Sequence, residues 1–145
     1  MAFDYDLFFT CSLIEYIGRE KKLKRSDVVK QLGKERIAHI YKRADVLHCE
    51  PIAKTADVFM EMCEITEGDF DNVSDCRYTV PDYWSIGKVY TRLIQDVYTD
   101  DIIDTLCEVY DSMFSDAISN YNTDFFYQSR DYIKACYQYN EILVD

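Results

Sequence analysis

The sequence predicts an all-α fold: a single compact bundle of six to seven helices, with at most one minor β piece near residues 76–80. Three observations predict it. Apolar residues recur at spacings of three and four along most of the chain. Glycine and proline number only 4 and 2, too few for the tight turns of a sandwich or barrel. Hydrophobic residues make up 48% of the chain, which excludes a disordered tail. At 145 residues the chain reads as one domain, 1–145. The break at Thr66 suggests an N-terminal helical module, 1–65, and a C-terminal one, 66–145.

The first helix is expected from about Asp4 to Lys22, because Leu7, Cys11, Ile14 and Ile17 form one apolar stripe. Ser26 suits the N-cap of a short second helix through Leu32, and Gly33 stands where a left-handed C-terminal residue belongs. A third helix follows from Lys34, with Ile37, Ile40, Tyr41, Ala44 and Leu47 on one side. Pro51 fits the first turn of a fourth, marked by Ile52, Ala56, Phe59 and Cys63.

The turn formers Gly68, Asp69, Asp71, Asn72, Ser74 and Asp75 interrupt the pattern between Thr66 and Pro81. Arg77-Tyr78-Thr79-Val80 is the candidate extended piece. A fifth helix starts near Asp82 with Ile86, Tyr90, Leu93, Ile94 and Val97. A sixth, after Thr99 or Asp100, carries Ile103, Leu106, Tyr110, Met113, Ala117 and Tyr121. Asn120 to Ser129 reads as a loop, and a last helix covers about Arg130 to Tyr139.

Charge is uneven. Residues 19–43 hold ten Lys or Arg against three acids, whereas residues 50–145 hold six bases against twenty acids. The whole chain is −11, with a pI of about 4.5, which disfavours general nucleic-acid binding. The two regions either attract each other within the fold or serve separate partners. An acidic surface is repelled by anionic lipid, and no apolar stretch is long enough to span a bilayer. The acidic start, Met1-Ala2-Phe3-Asp4-Tyr5-Asp6, lacks the basic opening of an export signal, so a cytoplasmic location is expected. Cys11, Cys63, Cys107 and Cys136 then read as small buried hydrophobes rather than disulfide halves.

Residues 5–62 contain Phe9-Thr10-Cys11-Ser12-Leu13-Ile14-Glu15-Tyr16, then Ser26-Asp27-Val28-Val29, Ile37-Ala38-His39-Ile40-Tyr41 and Asp45-Val46-Leu47-His48. This pattern resembles a small helical bacterial family of uncharacterised function. The resemblance implies a toxin–antitoxin or phage-defence context and no catalytic residue.

Reactive chemistry finds little support. His39, His48, Cys49, Glu50 and Cys63 lack zinc-ligand spacing, so no metal and no cofactor is expected. Asp69 to Val80 lacks the EF-hand's fifth, sixth and twelfth residues. The glycines are isolated, so there is no phosphate loop. A cryptic enzyme would have to use Cys49 or His48.

The leading expectation is a non-catalytic protein–protein interaction or regulatory, antitoxin-like module with an acidic, tyrosine-rich surface. Its partner would be another, basic protein, or a second copy of the chain. The candidate contact residues are Asp101, Asp104, Glu108 and Asp111, spaced three and four apart along one helix, with Tyr127, Tyr132, Tyr137 and Tyr139. The alternative is a DNA-binding regulator using a helix-turn-helix-like segment, 25–44, with Lys34, Arg36, Lys42 and Arg43 toward the groove.

Overall fold

The computed structural model describes residues 2–144. Among them the protein is all-helical, with nine α-helices and one 3-10 turn. The helices are α1 (Tyr5–Lys21), α2 (Arg25–Leu32), α3 (Lys34–Lys42), α4 (Ala44–Leu47), α5 (Ile52–Met62), α6 (Tyr83–Val97), α7 (Ile102–Tyr110), α8 (Met113–Ser119) and α9 (Arg130–Tyr139). The 3-10 turn is Phe125–Tyr127 and falls in the segment expected to be a loop.

Helix α1 is the axis of the molecule. Its expected stripe, Leu7, Cys11, Ile14 and Ile17, is fully buried. Phe9 and Leu13 on other faces are buried too, together with the polar Thr10, Ser12 and Glu15. A helix enclosed on most sides needs several neighbours. Helix α1 touches α2, α3, α4 and α5, and runs along α6 for its most extensive pairing. Gly87 of α6 permits that approach: a Cβ there would lie 2.1 Å from Ser12 Oγ and 3.0 Å from Ser12 Cα. Helix α7 closes over α2 and α3, α8 reaches α2, and α9 lies on α6. One hydrophobic core cluster draws on both halves, from Leu7 through Ile40 and Tyr90 to Cys136.

Local chemistry sets the helix ends. Asp4 caps α1 by accepting the Leu7 N–H at 2.9 Å, and Asp82 caps α6 by accepting the Ser85 N–H at 2.7 Å. The second helix begins two residues earlier than an N-cap at Ser26 would set it. Lys24 occupies the cap position without a side-chain bond. Gly33 has φ 85° and ψ 150°, a conformation open to glycine but outside the left-handed helical region expected of it. It ends α2 and starts α3 with no residue to spare.

The expected third helix breaks at Arg43, whose φ of −103° and ψ of 9° separate α3 from α4. The expected long sixth helix is two. Asp111 ends α7, and Ser112 accepts the Phe114 N–H at 3.3 Å to start α8. The break changes the buried register. Ile103, Leu106 and Tyr110 are buried as expected, but Phe114 and Ile118 then replace Met113 and Ala117 in the core. These two breaks raise the helix number above the six to seven expected.

Residues 76–80 form no β piece among the described residues. The Arg77 N–H donates to Asn122 Oδ1 at 2.8 Å instead of to a neighbouring strand. Elsewhere the connection between α5 and α6 is tied down along its length. Thr66 N–H donates to Gln31 Oε1 at 2.8 Å, Gly68 N–H to Lys21 O at 2.8 Å, and Phe70 N–H to Lys22 O at 2.9 Å. No helix among the described residues is long and apolar enough to cross a membrane.

Candidate functional site

The deepest polar feature is a charge cluster on Glu15, a residue the apolar pattern passes over. Arg25, on the first turn of α2, donates from Nε to Glu15 Oε1 and from Nη2 to Glu15 Oε2, both at 2.9 Å. Its remaining donors meet Leu23 O at 2.6 Å and Asn72 Oδ1 at 3.0 Å. Arg19, one turn on from Glu15, donates from Nε to Oε2 at 2.9 Å and from Nη2 to Pro81 O at 2.7 Å. The Tyr121 hydroxyl also donates to Glu15 Oε2.

Burial alone would raise the Glu15 pKa, but the charges of Arg25 and Arg19 and the hydrogen bonds outweigh it and hold the carboxyl down to about 2. Burial, then the charge of Glu15, pushes the Tyr121 hydroxyl up to about 12. Gly18 leaves the space for Arg25: a Cβ there would lie 2.4 Å from the arginine Cδ. Asn72 extends the cluster by donating to Ser119 O at 2.9 Å. The arrangement joins α1, α2, the long connection and the end of α8, and its groups hold one another. Glu15, Arg19, Arg25 and Tyr121 satisfy one another, so the cluster ties these elements together as a clamp.

A second buried polar group lies between α1, α6 and α7. Tyr90 and Tyr110 stack at 4.1 Å with 13° between their planes. The Tyr90 hydroxyl shares a 2.8 Å hydrogen bond with Ser115 Oγ, the Tyr110 hydroxyl lies against the Cys11 thiol, and Ser12 Oγ has no hydrogen-bond partner among the described residues. Burial pushes the Cys11 thiol up to about 12, which keeps it protonated. All six cysteines lie among the described residues and are free thiols, with Cys11 and Cys136 buried and Cys49 exposed. No group of three or more His, Cys, Asp or Glu side chains among the described residues is placed to hold a metal ion.

The acidic helix faces the basic segment. Helix α7 packs on α2 and α3, and three cross-element ion pairs line that side: Lys34 with Asp104, Lys30 with Asp111 at 3.5 Å, and Lys24 with Asp116 at 3.9 Å. Asp101 is the N-cap of α7, accepting the Ile103 and Asp104 N–H groups at 2.9 Å. Glu108 is exposed on the same helix. The two charged regions therefore meet each other along much of this side.

Of the four basic residues singled out for a nucleic acid, Lys34 is engaged by Asp104, Arg36 is half-buried, and Lys42 and Arg43 are exposed. The single residue between α2 and α3 is also shorter than the turn of about three to four residues in a helix-turn-helix.

The four C-terminal tyrosines divide. The Tyr132 hydroxyl donates to Leu143 O and its ring faces Phe125 at 6.1 Å, while Tyr137 packs on Phe114 at 5.6 Å. Tyr127 and Tyr139 are 84% and 72% exposed.

The pattern missed a second aromatic surface, at the other end of the sequence. Six rings follow one another across α1 and the start of α6. Tyr5 meets Phe3 at 5.0 Å, Phe3 meets Phe8 at 5.5 Å, Phe8 meets Trp84 at 5.3 Å, Trp84 meets Tyr83 at 5.2 Å, and Tyr83 meets Tyr16 at 5.2 Å. Tyr5 is 73% and Trp84 37% exposed, and the other four are half-buried. Carboxylates border both ends. Burial and then the charges of Glu20 and Asp57 raise the Tyr16 pKa, and at the far end a groove of about 390 Å³ is lined by Tyr5, Phe8 and Trp84 with Asp6, Asp45 and His48. The available signal was the spacing Tyr5, Phe8, Tyr16 on the side of α1 away from its apolar stripe, with Phe3 just before the helix and Tyr83-Trp84 directly after a helix cap. Comparison with models of known protein families, with curated proteins and with solved structures finds no match to this chain.

Proposed function

We propose that this protein is a non-catalytic interaction module that binds a basic protein partner through the aromatic strip of α1 and α6. The observation that carries the reading is the strip itself: six contiguous rings, with Tyr5 largely and Trp84 partly exposed, and carboxylates at both ends. Contiguous aromatic surface with a polar rim is the usual composition of a protein contact, and Trp and Tyr are the residues that carry most of its energy. The net charge of −11 favours a basic partner and speeds its approach. Asp104 and Asp111 already have lysine partners within the fold, so the reading shifts the contact face away from α7. The exposed Tyr127 and Tyr139 remain a secondary surface. A regulatory, antitoxin-like role rests on the resemblance of residues 5–62 alone.

The test is capture of the partner by the wild type, by Tyr16→Ala/Trp84→Ala and by Tyr127→Ala/Tyr139→Ala, with the captured protein identified by mass at low and high salt. The reading expects one stoichiometric basic protein, released by salt and lost only in the first variant. Loss only in the second variant would move the interface to the C-terminal tyrosines.

A further inference from the structure

At one end of the strip, α1, α4 and the start of α6 enclose the groove of about 390 Å³. Tyr5, Phe8 and Trp84 present aromatic surface, Asp6 and Asp45 present carboxylates, and His48 stands beside them. Both acids sit in the first turns of their helices, where a negative charge is favoured by the helix dipole. Neither makes an ion pair among the described residues, in contrast to Asp96, Asp104, Asp111 and Asp116 elsewhere on the molecule. Their proximity is felt: the Asp6 carboxyl is raised above its ordinary range by partial burial and then by the charges of Asp4 and Asp45, and lowered by His48. Two unpaired carboxylates beside an exposed indole lack a cation that could lie on the ring and meet the acids together.

We infer that this groove seats an arginine side chain from a basic segment of the partner protein. A guanidinium is flat, so it can stack on Trp84, and its donors are spread widely enough to reach two carboxylates. Its charge complements Asp6 and Asp45, and its aliphatic stem fits against Tyr5 and Phe8. A lysine ammonium can satisfy the acids but cannot stack as a plane. The inference rests on the interaction-module reading and names the chemistry of one part of its surface.

Trp84 is the only tryptophan in the chain, so its fluorescence reports on the groove directly. The experiment titrates the full chain with an acetylated, amidated peptide of alternating alanine and arginine, and with its lysine counterpart. Emission from Trp84 is followed together with the backbone amide NMR shifts. The expected result is a saturable emission change for the arginine peptide, weakened by added salt and accompanied by amide shifts at residues 5–8 and 45–48. Asp6→Asn/Asp45→Asn should weaken binding at least about tenfold, while Asp104→Asn/Glu108→Gln leaves it unchanged. Circular dichroism checks that both variants fold.

Binding that is equal for the lysine peptide, or unaffected by Asp6→Asn/Asp45→Asn, overturns the inference. Amide shifts confined to Tyr16 and Tyr83 overturn it too, but leave the strip as an interaction face. No saturable response anywhere on the chain counts against both.

Discussion

Replacing Glu15 by Gln leaves two guanidinium groups, one of them fully buried, without their counter-charge. Removing one partner of a buried ion pair costs about 3–5 kcal/mol, so Glu15→Gln should lower the urea midpoint markedly at neutral pH. The loss should depend on pH in a definite direction. The folded-state pKa of about 2 lies below the ordinary value of 4.5, so the folded state favours the ionised form. The stability this contributes is complete above about pH 4.5 and is lost as pH falls toward 2. Urea midpoints at pH 7 and pH 3 should therefore differ more in the wild type than in Glu15→Gln.

Gly87 offers a second test at the same scale. An alanine Cβ would press on Ser12, so Gly87→Ala should cost about 1–3 kcal/mol. Adding Ser12→Ala removes the hydroxyl 2.1 Å away but leaves the Cα at 3.0 Å, and should restore only part of the loss in a thermal melt.

Among the elements, legibility in the sequence followed the locality of the cause. Helices α1, α5 and α6 were readable because each carries a stripe at helical spacing, and in α1 and α6 a capping aspartate, Asp4 or Asp82, stands directly before the first turn. The break between α7 and α8 was not readable from the stripe, since Met113 and Ala117 continue the spacing that Tyr110 ends. Its cause is Ser112, a capping residue inside an otherwise periodic run. Ser112→Ala and Asp101→Ala should each cost about 1 kcal/mol, because each strips a cap from a short helix that needs one. Chemical denaturation of the two variants checks this, and a loss near zero for Ser112→Ala would assign the break to packing of Phe114 instead.

The extended piece expected at 76–80 failed for a related reason. Beta-favouring residues there have no neighbouring strand among the described residues, and the Arg77 N–H finds the Asn122 side chain instead. Glu15 was visible only as a polar interruption of an apolar helix. Nothing local shows that Arg25, ten positions away, lies against it.

At the scale of the molecule, charge and aromatic surface have separate places. The basic segment attracts α7 and α8 across exposed pairs, which contribute little to stability in salt. Tm should therefore hardly move between about 0.05 and 0.5 M NaCl, although binding of a basic partner should weaken over the same range. Parallel salt series of melts and of partner capture would show the difference.

The uneven charge was legible from composition, but its internal pairing was not, because that depends on α7 folding back over α2 and α3. The strip was illegible for the same reason. Phe8 and Trp84 are 76 positions apart and meet only through the packing of α6 along α1. The most direct measurement of the central claim is amide hydrogen exchange of the chain, free and saturated with its captured partner. The account predicts new protection at residues 3–16 and 83–84, with little change at 127–139. Protection confined to 127–139, with residues 3–16 unchanged, would contradict it.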